Sequence, residues 1–408
     1  VLSELRLGIA DSGEPPLALS RGRARIDVLN SLRTRTLQLS RIVLEDLSLY
    51  GELTQSGALR LQGFGAADGE GGGEVREFLL NIEAITLRKN RLVLTLPDGE
   101  QRSMDLDLSL SRDGSHRRLG ARLTSTRGAE IDILAEGVGD PFRPDLFSGQ
   151  VYADIRSPDL GAVRDLFADP SPPLWAEGAL GLQVWLDWRY GASSIQARLE
   201  GEDILVSPRD DAWQVPLDSL SLQASLRGNE DDWQLFVDDL QVERDDSTLR
   251  LPLLQLQGEG NALRARTAGL ALETLAGFAG SLDVIPDKLR AVLADLDPRG
   301  ELSTFQFQVN DIEEPGSDWE VSATFAQLEV EPVKGAPGAG GVGGFTRLGP
   351  KGGHVLIDSR GVTLEFPLVY REPLHFEDLF GTLNLFWNED FVRLDSGLLT
   401  TRGEEGTA

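Results

Sequence analysis

The feature that most constrains this chain is a two-residue alternation of apolar and polar side chains that returns along most of its length. Successive side chains of a strand point to opposite faces, so such a period marks strands that bury one face and wet the other. In ALGLQVWLDWRYG, Leu180, Leu182, Val184, Leu186 and Trp188 point one way, and Gln183, Asp187 and Arg189 the other, with Trp185 an apolar exception on the second side. The same reading holds for Met104 to Leu110, for Leu220, Leu222, Ala224 and Leu226, for Phe305, Phe307 and Val309, and for Trp319, Val321, Ala323 and Phe325. Between these runs lie RDG, RGNEDD, ERDDS and WNEDF, polar turn chemistry that joins sequential antiparallel strands as hairpins. The expected architecture is mostly β: a long, twisted antiparallel meander curled into an extended groove, with a few short helices.

One small phrase recurs within this pattern. LEDLSL (44 to 49) returns as LDSLSL (217 to 222) and VDDLQV (237 to 242), and more loosely as FEDLFG (376 to 381). In RIVLEDLSLYGEL the apolar residues slip phase, from even-numbered Ile42 and Leu44 to odd-numbered Leu47, Leu49 and Leu53. Glu45 and Asp46 are therefore expected to kink or bulge the strand so that both halves keep facing inward.

Helical periodicity is scarce. SPDLGAVRDLFADP carries a Ser157 cap, Pro158 in the first turn and a face of Leu160, Val163, Leu166 and Phe167. IPDKLRAVLADLDPRG begins at Pro286, aligns Leu289, Val292, Leu293 and Leu296, and stops at Pro298 and Gly300. Weaker candidates are EVREFLLNIEAI (74 to 85) and LALETLAGFAG (270 to 280). Three Gly- or Pro-rich stretches read as loops, GAADGEGGGE (65 to 74), DPSPPLW (169 to 175) and PVKGAPGAGGVGGF (332 to 345). The chain then divides into a first stretch over 1–168, a central one over 174–331 with helices near 270–296, and a last one over 345–408.

A balance of 39 Lys and Arg against 66 Asp and Glu, a formal charge of -27, opposes any partner gripped through its phosphates, so no nucleic acid is expected. Zero cysteines exclude disulfides and thiolate metal sites and are compatible with an oxidising exported compartment. No run approaches the roughly 18 apolar residues of a membrane-crossing helix. Because the chain opens on Val1 and its one methionine is Met104, it is expected to be a segment of something longer.

The search for chemistry returns little. GAGGVG (338 to 343) matches the spelling of a dinucleotide loop, but Pro350 and further glycines stand where the phosphate-binding helix should begin. His116, His354 and His375 lie far apart, without ligand spacing. DLDLSLSRDG (105 to 114) has Leu110 where a calcium loop needs glycine, which leaves a strand with wet acids. No catalytic residue, cofactor or metal is expected, and the open question is what covers the apolar face of so long a sheet. A second sheet can pack on it, giving a structural or adhesive protein of ordinary sandwiches, or the face can stay open to a ligand.

The order of features resembles the YhdP-like branch of the AsmA-like family of Gram-negative envelope proteins. The likeness is carried by LSRIVLEDLSLYG near the start, GDPFRPDLFSGQVYADIRSPDLGAVRDLF (139 to 167), LWAEGALGLQVWLDWRYGASSIQARLEGEDI (174 to 204), LDPRGEL (296 to 302) and EPLHFEDLFGTLNLFWN (372 to 388). The resemblance implies a bridge-type lipid carrier, in which an inner-membrane anchor, absent from this segment, is followed by a β-groove across the periplasm. Through that groove phospholipid or another acyl-chain lipid passes toward the outer membrane. No catalytic residues carry over from such a family. What carries over is a surface, for which the expected lining is Leu180, Leu182, Val184, Leu186, Trp188, Leu220, Leu222, Phe305, Phe307, Val309, Val321, Phe325, Leu364 and Phe366.

Overall fold

The computed structural model describes residues 2–7, 17–34, 39–53, 59–61, 80–97, 99–141, 143–160, 174–190, 192–208, 214–228, 232–245, 247–281, 287–312, 318–333, 337–388, 392–403 and 406–407. The chain forms two compact units, Val1–Ala212 and Trp213–Ala408. Both are built almost wholly from strands, as the alternation predicts.

The first unit contains β1 (Leu2–Leu7), β2 (Leu17–Ile26), α1 (Val28–Thr34), β3 (Leu39–Leu53), β4 (Leu59–Leu61), β5 (Ala84–Thr95), β6 (Gln101–Asp113), β7 (His116–Ser125), β8 (Glu130–Val138), a 3-10 turn (Pro144–Leu146), β9 (Ser148–Ser157), β10 (Leu174–Arg189) and β11 (Ala192–Pro208). Strands pair with their sequence neighbours, and the ladder runs from β1 to β11 without closing on itself. One pair breaks the expected antiparallel meander: β3 and β5 run parallel, from Arg41 opposite Ala84 to Glu52 opposite Thr95. The alternation cannot foretell this, because a strand shows the same two-residue period beside a parallel or an antiparallel neighbour.

The second unit contains β12 (Val215–Gly228), β13 (Asp232–Arg244), β14 (Ser247–Glu259), β15 (Ala262–Thr267), β16 (Leu270–Ala271), α2 (Leu272–Ser281), α3 (Asp287–Leu296), β17 (Arg299–Val309), β18 (Trp319–Val330), β19 (Gly338–Gly349), β20 (Gly352–Glu365), β21 (Leu374–Trp387), β22 (Val392–Gly403) and β23 (Gly406–Thr407). All its pairings are antiparallel, with β15 and β16 sharing β17 as a neighbour, and this ladder too stays open.

Helices α2 and α3 lie where LALETLAGFAG and IPDKLRAVLADLDPRG predict them, and α2 packs on β14, β16, β17 and α3. The α3 chain ends at Asp297, whose N–H reaches the Leu293 carbonyl at 3.1 Å and whose positive φ of 38 ends the helical path before Pro298. Helix α1 was not foreseen, since its apolar Val28, Leu29 and Leu32 are exposed and bury no face. The helix expected over 157–170 lies, beyond Leu160, outside the described residues, as do 65–74 and 169–173 of the expected loops. In EVREFLLNIEAI, Leu80 and Asn81 are helical and Ala84 already opens β5. The stretch 332–345 is a correction: from Gly338 onward it is strand β19, not loop. Glycine serves close approach there, since a Cβ at Gly344 would sit 2.1 Å from the Leu356 carbonyl oxygen of β20.

The recurring phrase does what its phase slip requires. Asp46 takes a positive φ of 57, and past it Leu47 and Leu49 are buried on the same side as Leu44. Its parallel neighbour bulges at the same level through Lys89, φ 54, and Asn90 spans the gap. The Asn90 side chain is buried, accepts the Leu47 N–H at 3.0 Å and donates to the Leu106 carbonyl at 3.4 Å. In VDDLQV, Asp239 has φ 51, and the β12 ladder shifts opposite it between Ser221 and Gln223, within LDSLSL. The looser FEDLFG ends at Gly381, where the β21 register shifts. A further Asp of this kind, Asp203 in β11 with φ 51, faces a shift at Gly178.

Candidate functional site

Cross-strand partners share a face, so the registers show which side chains line up across each sheet. In the first unit one row runs Ile42, Ile85, Leu110, Leu119, Ala135, Val151, Leu186 and Ile195, through eight strands from β3 to β11 without a polar interruption. The next row is Leu44, Leu87, Leu108, Ala121, Ile133, Ala153, Val184 and Ala197. Every residue of both rows is half-buried. Side chains sealed between two packed layers would be fully buried, as Leu47, Leu92 and Met104 are at the other end of this face.

The second unit repeats the arrangement. Leu226, Leu235, Leu256, Ala265, Phe307, Val321 and Leu348 form a row through seven strands, and each is half-buried. Beside it lie Ala224, Val237, Leu254, Thr267, Phe305, Ala323, Thr346, Val355 and Leu383, in which the two threonines interrupt the apolar series.

The expected lining residues lie on the apolar face of one unit or the other, in different surroundings. Leu180, Leu182, Val184, Leu186 and Trp188 all lie on the apolar face of the first unit, half-buried. Phe305, Phe307 and Val321 lie on that of the second, also half-buried, while Val309 at its end is buried. Leu220, opposite Val242, shares this face, and Leu222 stands at the register shift facing Asp239. Phe325 is buried in a cluster with Val342, Val362 and Leu379, against which Leu364 packs. Phe366 lies past the end of β20, its ring 6.2 Å from that of Tyr370. The expected lining leaves out the partners from β5 to β9 and from β13 to β15; the alternation of β6 over Met104 to Leu110 is legible in the sequence, and the registers show that it and its neighbours belong to the same rows.

The opposite face of the first unit is charged and laced. Arg122 reaches Asp132 at 2.6 Å, Arg156 reaches the same Asp132 at 3.2 Å, and Asp187 accepts from Arg189 at 2.8 Å and from Gln150 at 3.2 Å. The hydrogen bonds from Arg189 and Gln150 hold the Asp187 carboxyl below the usual carboxylate range, and Asp132 raises the Arg122 guanidinium. Within this charged surface Trp185 packs on Tyr152 at 5.4 Å, with Leu134 the next residue of the row. The sheet of the first unit thus carries ion pairs on one face and rows of hydrocarbon side chains on the other.

At one end of the first unit's apolar face is a cavity of about 430 Å³ walled by Leu110, Leu119, Val151, Leu186, Trp188 and Phe147. Phe147 walls it while lying over the paired Gly137 and Gly149, where added Cβ atoms would stand 2.4 and 2.7 Å from its ring. Glycine at both positions makes the seat for that ring.

The residues considered for chemistry stay apart. His116 stands near Glu136 at 3.5 Å, His354 beside Phe345, and His375 against Thr363 at 3.1 Å. Asp105 and Asp107 are wet, and the Asp107 carboxylate accepts the bulged Lys89 N–H at 2.6 Å. The dinucleotide-like spelling lies within β19. Among the described residues no helix is long and apolar enough to cross a membrane.

No curated protein and no solved structure matches this chain. A family model described as YhdP protein matches residues 1–401, nearly the whole length. That span makes the chain a member of the YhdP family of AsmA-like Gram-negative envelope proteins, which is not a known enzyme family.

Proposed function

We propose that this chain is a non-enzymatic lipid conduit of the periplasm, passing phospholipid along its apolar faces in support of outer-membrane lipid homeostasis. The reading includes a tether to the inner membrane. The observation that carries the reading is the uninterrupted, half-buried row from Ile42 to Ile195 across eight strands.

A phospholipid with about 30 buried methylenes forfeits on the order of 24 kcal/mol on entering water, at roughly 0.8 kcal/mol for each methylene. An apolar face removes most of that barrier without a covalent step. Because contacts of this kind are non-directional, an acyl chain meets no deep trap as it moves from strand to strand. Each added strand extends such a face by about 4.8 Å. The charged opposite face keeps the sheet wetted.

Native mass spectrometry of the purified chain tests this: phospholipid should remain bound, and Val184→Asp and Phe307→Asp should release it while circular dichroism still reports β-structure. A parent chain that carries no lipid, or variants that retain as much as the parent, would refute the proposal.

A further inference from the structure

The lipid-conduit reading leaves open what receives the polar end of a lipid on a chain with a net charge of -27. We propose that Arg112 and Arg117 form a docking site for the anionic phosphate headgroup of a lipid, at the cavity end of the first unit's apolar face; the proposal rests on that reading.

The two arginines are direct cross-strand partners on β6 and β7, two residues beyond the Leu110–Leu119 pair of the long apolar row and therefore on the same face. Both are half-buried. Their guanidiniums converge on one short piece of backbone, Arg112 donating to the Asn81 carbonyl at 2.8 Å and Arg117 to the Leu80 carbonyl at 3.3 Å. Arg117 also donates to the carbonyls of Gly139 and Ser115. The Nε–H of each is buried and finds no hydrogen-bond partner among the described residues. Among the described residues neither forms an ion pair. Arg102, at the other end of β6 on the same face, is by contrast matched by Glu100 at 2.7 Å. Two adjacent guanidiniums without an ion-pair partner among the described residues, in a strongly acidic chain, are complementary to an anion; the one carboxylate of the cavity wall, Glu136, is matched by His116 and Arg118.

The neighbourhood selects the kind of anion. Arg117 walls the same cavity as Leu119, Val151, Leu186 and Trp188, so a ligand that reaches it also touches hydrocarbon. Guanidinium forks match the paired oxygens of a phosphate, and a phosphodiester bearing acyl chains satisfies both halves of the site at once. A lipid lying along the row from Leu110 toward Ile42 or Ile195 would thus be gripped by its head at one end of the strands.

The test loads the delipidated chain from detergent with phosphatidylglycerol or with diacylglycerol of the same acyl chains, and measures retained lipid by mass spectrometry. The parent should prefer phosphatidylglycerol. Arg112→Gln with Arg117→Gln should reduce its retention about tenfold or more, as expected for losing a charge-assisted hydrogen bond, and leave diacylglycerol unchanged, while Lys at both positions should restore part of the loss. Should the double variant unfold, Arg112→Gln alone carries the test, its one side-chain bond being to an exposed carbonyl. Equal retention of phosphatidylglycerol by parent and Gln variants, or inorganic phosphate binding as tightly as the lipid, would overturn the headgroup site. A parent that holds both lipids without preference refutes this site alone, and a parent that holds neither refutes the conduit with it.

Discussion

Gly178 on β10 faces Asp203 on β11 so closely that a Cβ on the glycine would stand 2.4 Å from the aspartate's carbonyl oxygen. Both residues have positive φ, 119 and 51. The pair marks where the β10–β11 register shifts, with Leu180 and Leu182 continuing along the half-buried face beyond it. Gly178→Ala meets both a steric and a conformational penalty and should destabilise the chain by about 2–4 kcal/mol, read as a lower denaturant midpoint. Asp203→Gly should be close to neutral, since glycine accepts the same φ, whereas Asp203→Val should cost about 1–2 kcal/mol. An alanine variant as stable as the parent would show that the bulge is not required.

Asn90 predicts a second stability effect. It replaces the backbone hydrogen bonds that the neighbouring Asp46 and Lys89 bulges interrupt, and it is almost completely buried. Asn90→Leu keeps the volume but strands the Leu47 N–H and the Leu106 carbonyl, so a loss of about 2–4 kcal/mol is expected. Amide exchange at Leu47 should accelerate in parallel. Unchanged exchange at that amide would remove the bridging role.

Asp187 predicts a titration. Its folded-state value is depressed, so its contribution to stability is complete above the unfolded carboxylate value and is lost as pH falls through the lower folded one, a window below about pH 4. Carbon-detected NMR should find this carboxyl titrating below the ordinary carboxylate value, and Arg189→Gln should move it upward. An ordinary value in the parent would contradict the arrangement.

The cavity predicts a packing effect. Gly137→Ala pushes a methyl into the Phe147 ring and should displace it, lowering the thermal midpoint, while Phe147→Leu leaves room above the glycine. In the double variant the loss should be smaller than the sum of the single ones, because the two changes share one contact. Strict additivity would mean that the ring does not rest on the glycines.

Much of this could be read before any pairing was known. The period of two in ALGLQVWLDWRYG, the slip at Glu45 and Asp46, and the helices ended by Pro298 or begun after Leu270 all depend on neighbours in the chain, and all appear where expected. What stayed hidden depends on neighbours in space. The parallel union of β3 with β5 leaves no trace in either strand. The glycines of β19 spell a loop until the Leu356 carbonyl is seen crowding one of them. Phe325 alternates as Phe305 does, yet one is sealed in a cluster and the other half-open, a difference set by Val342, Val362 and Leu379 from three other strands.

The rows from Ile42 to Ile195 also impose an arithmetic on inheritance. A single residue inserted in the tight turn at Gly114 and Ser115, if absorbed into β7, would rotate that strand by half a period, and Arg118 and Arg122 would take the places of Leu119 and Leu123. Two residues inserted there would restore the order. Homologous chains should accordingly vary the lengths of their strands in even steps, with an odd step tolerated where a new bulge absorbs it.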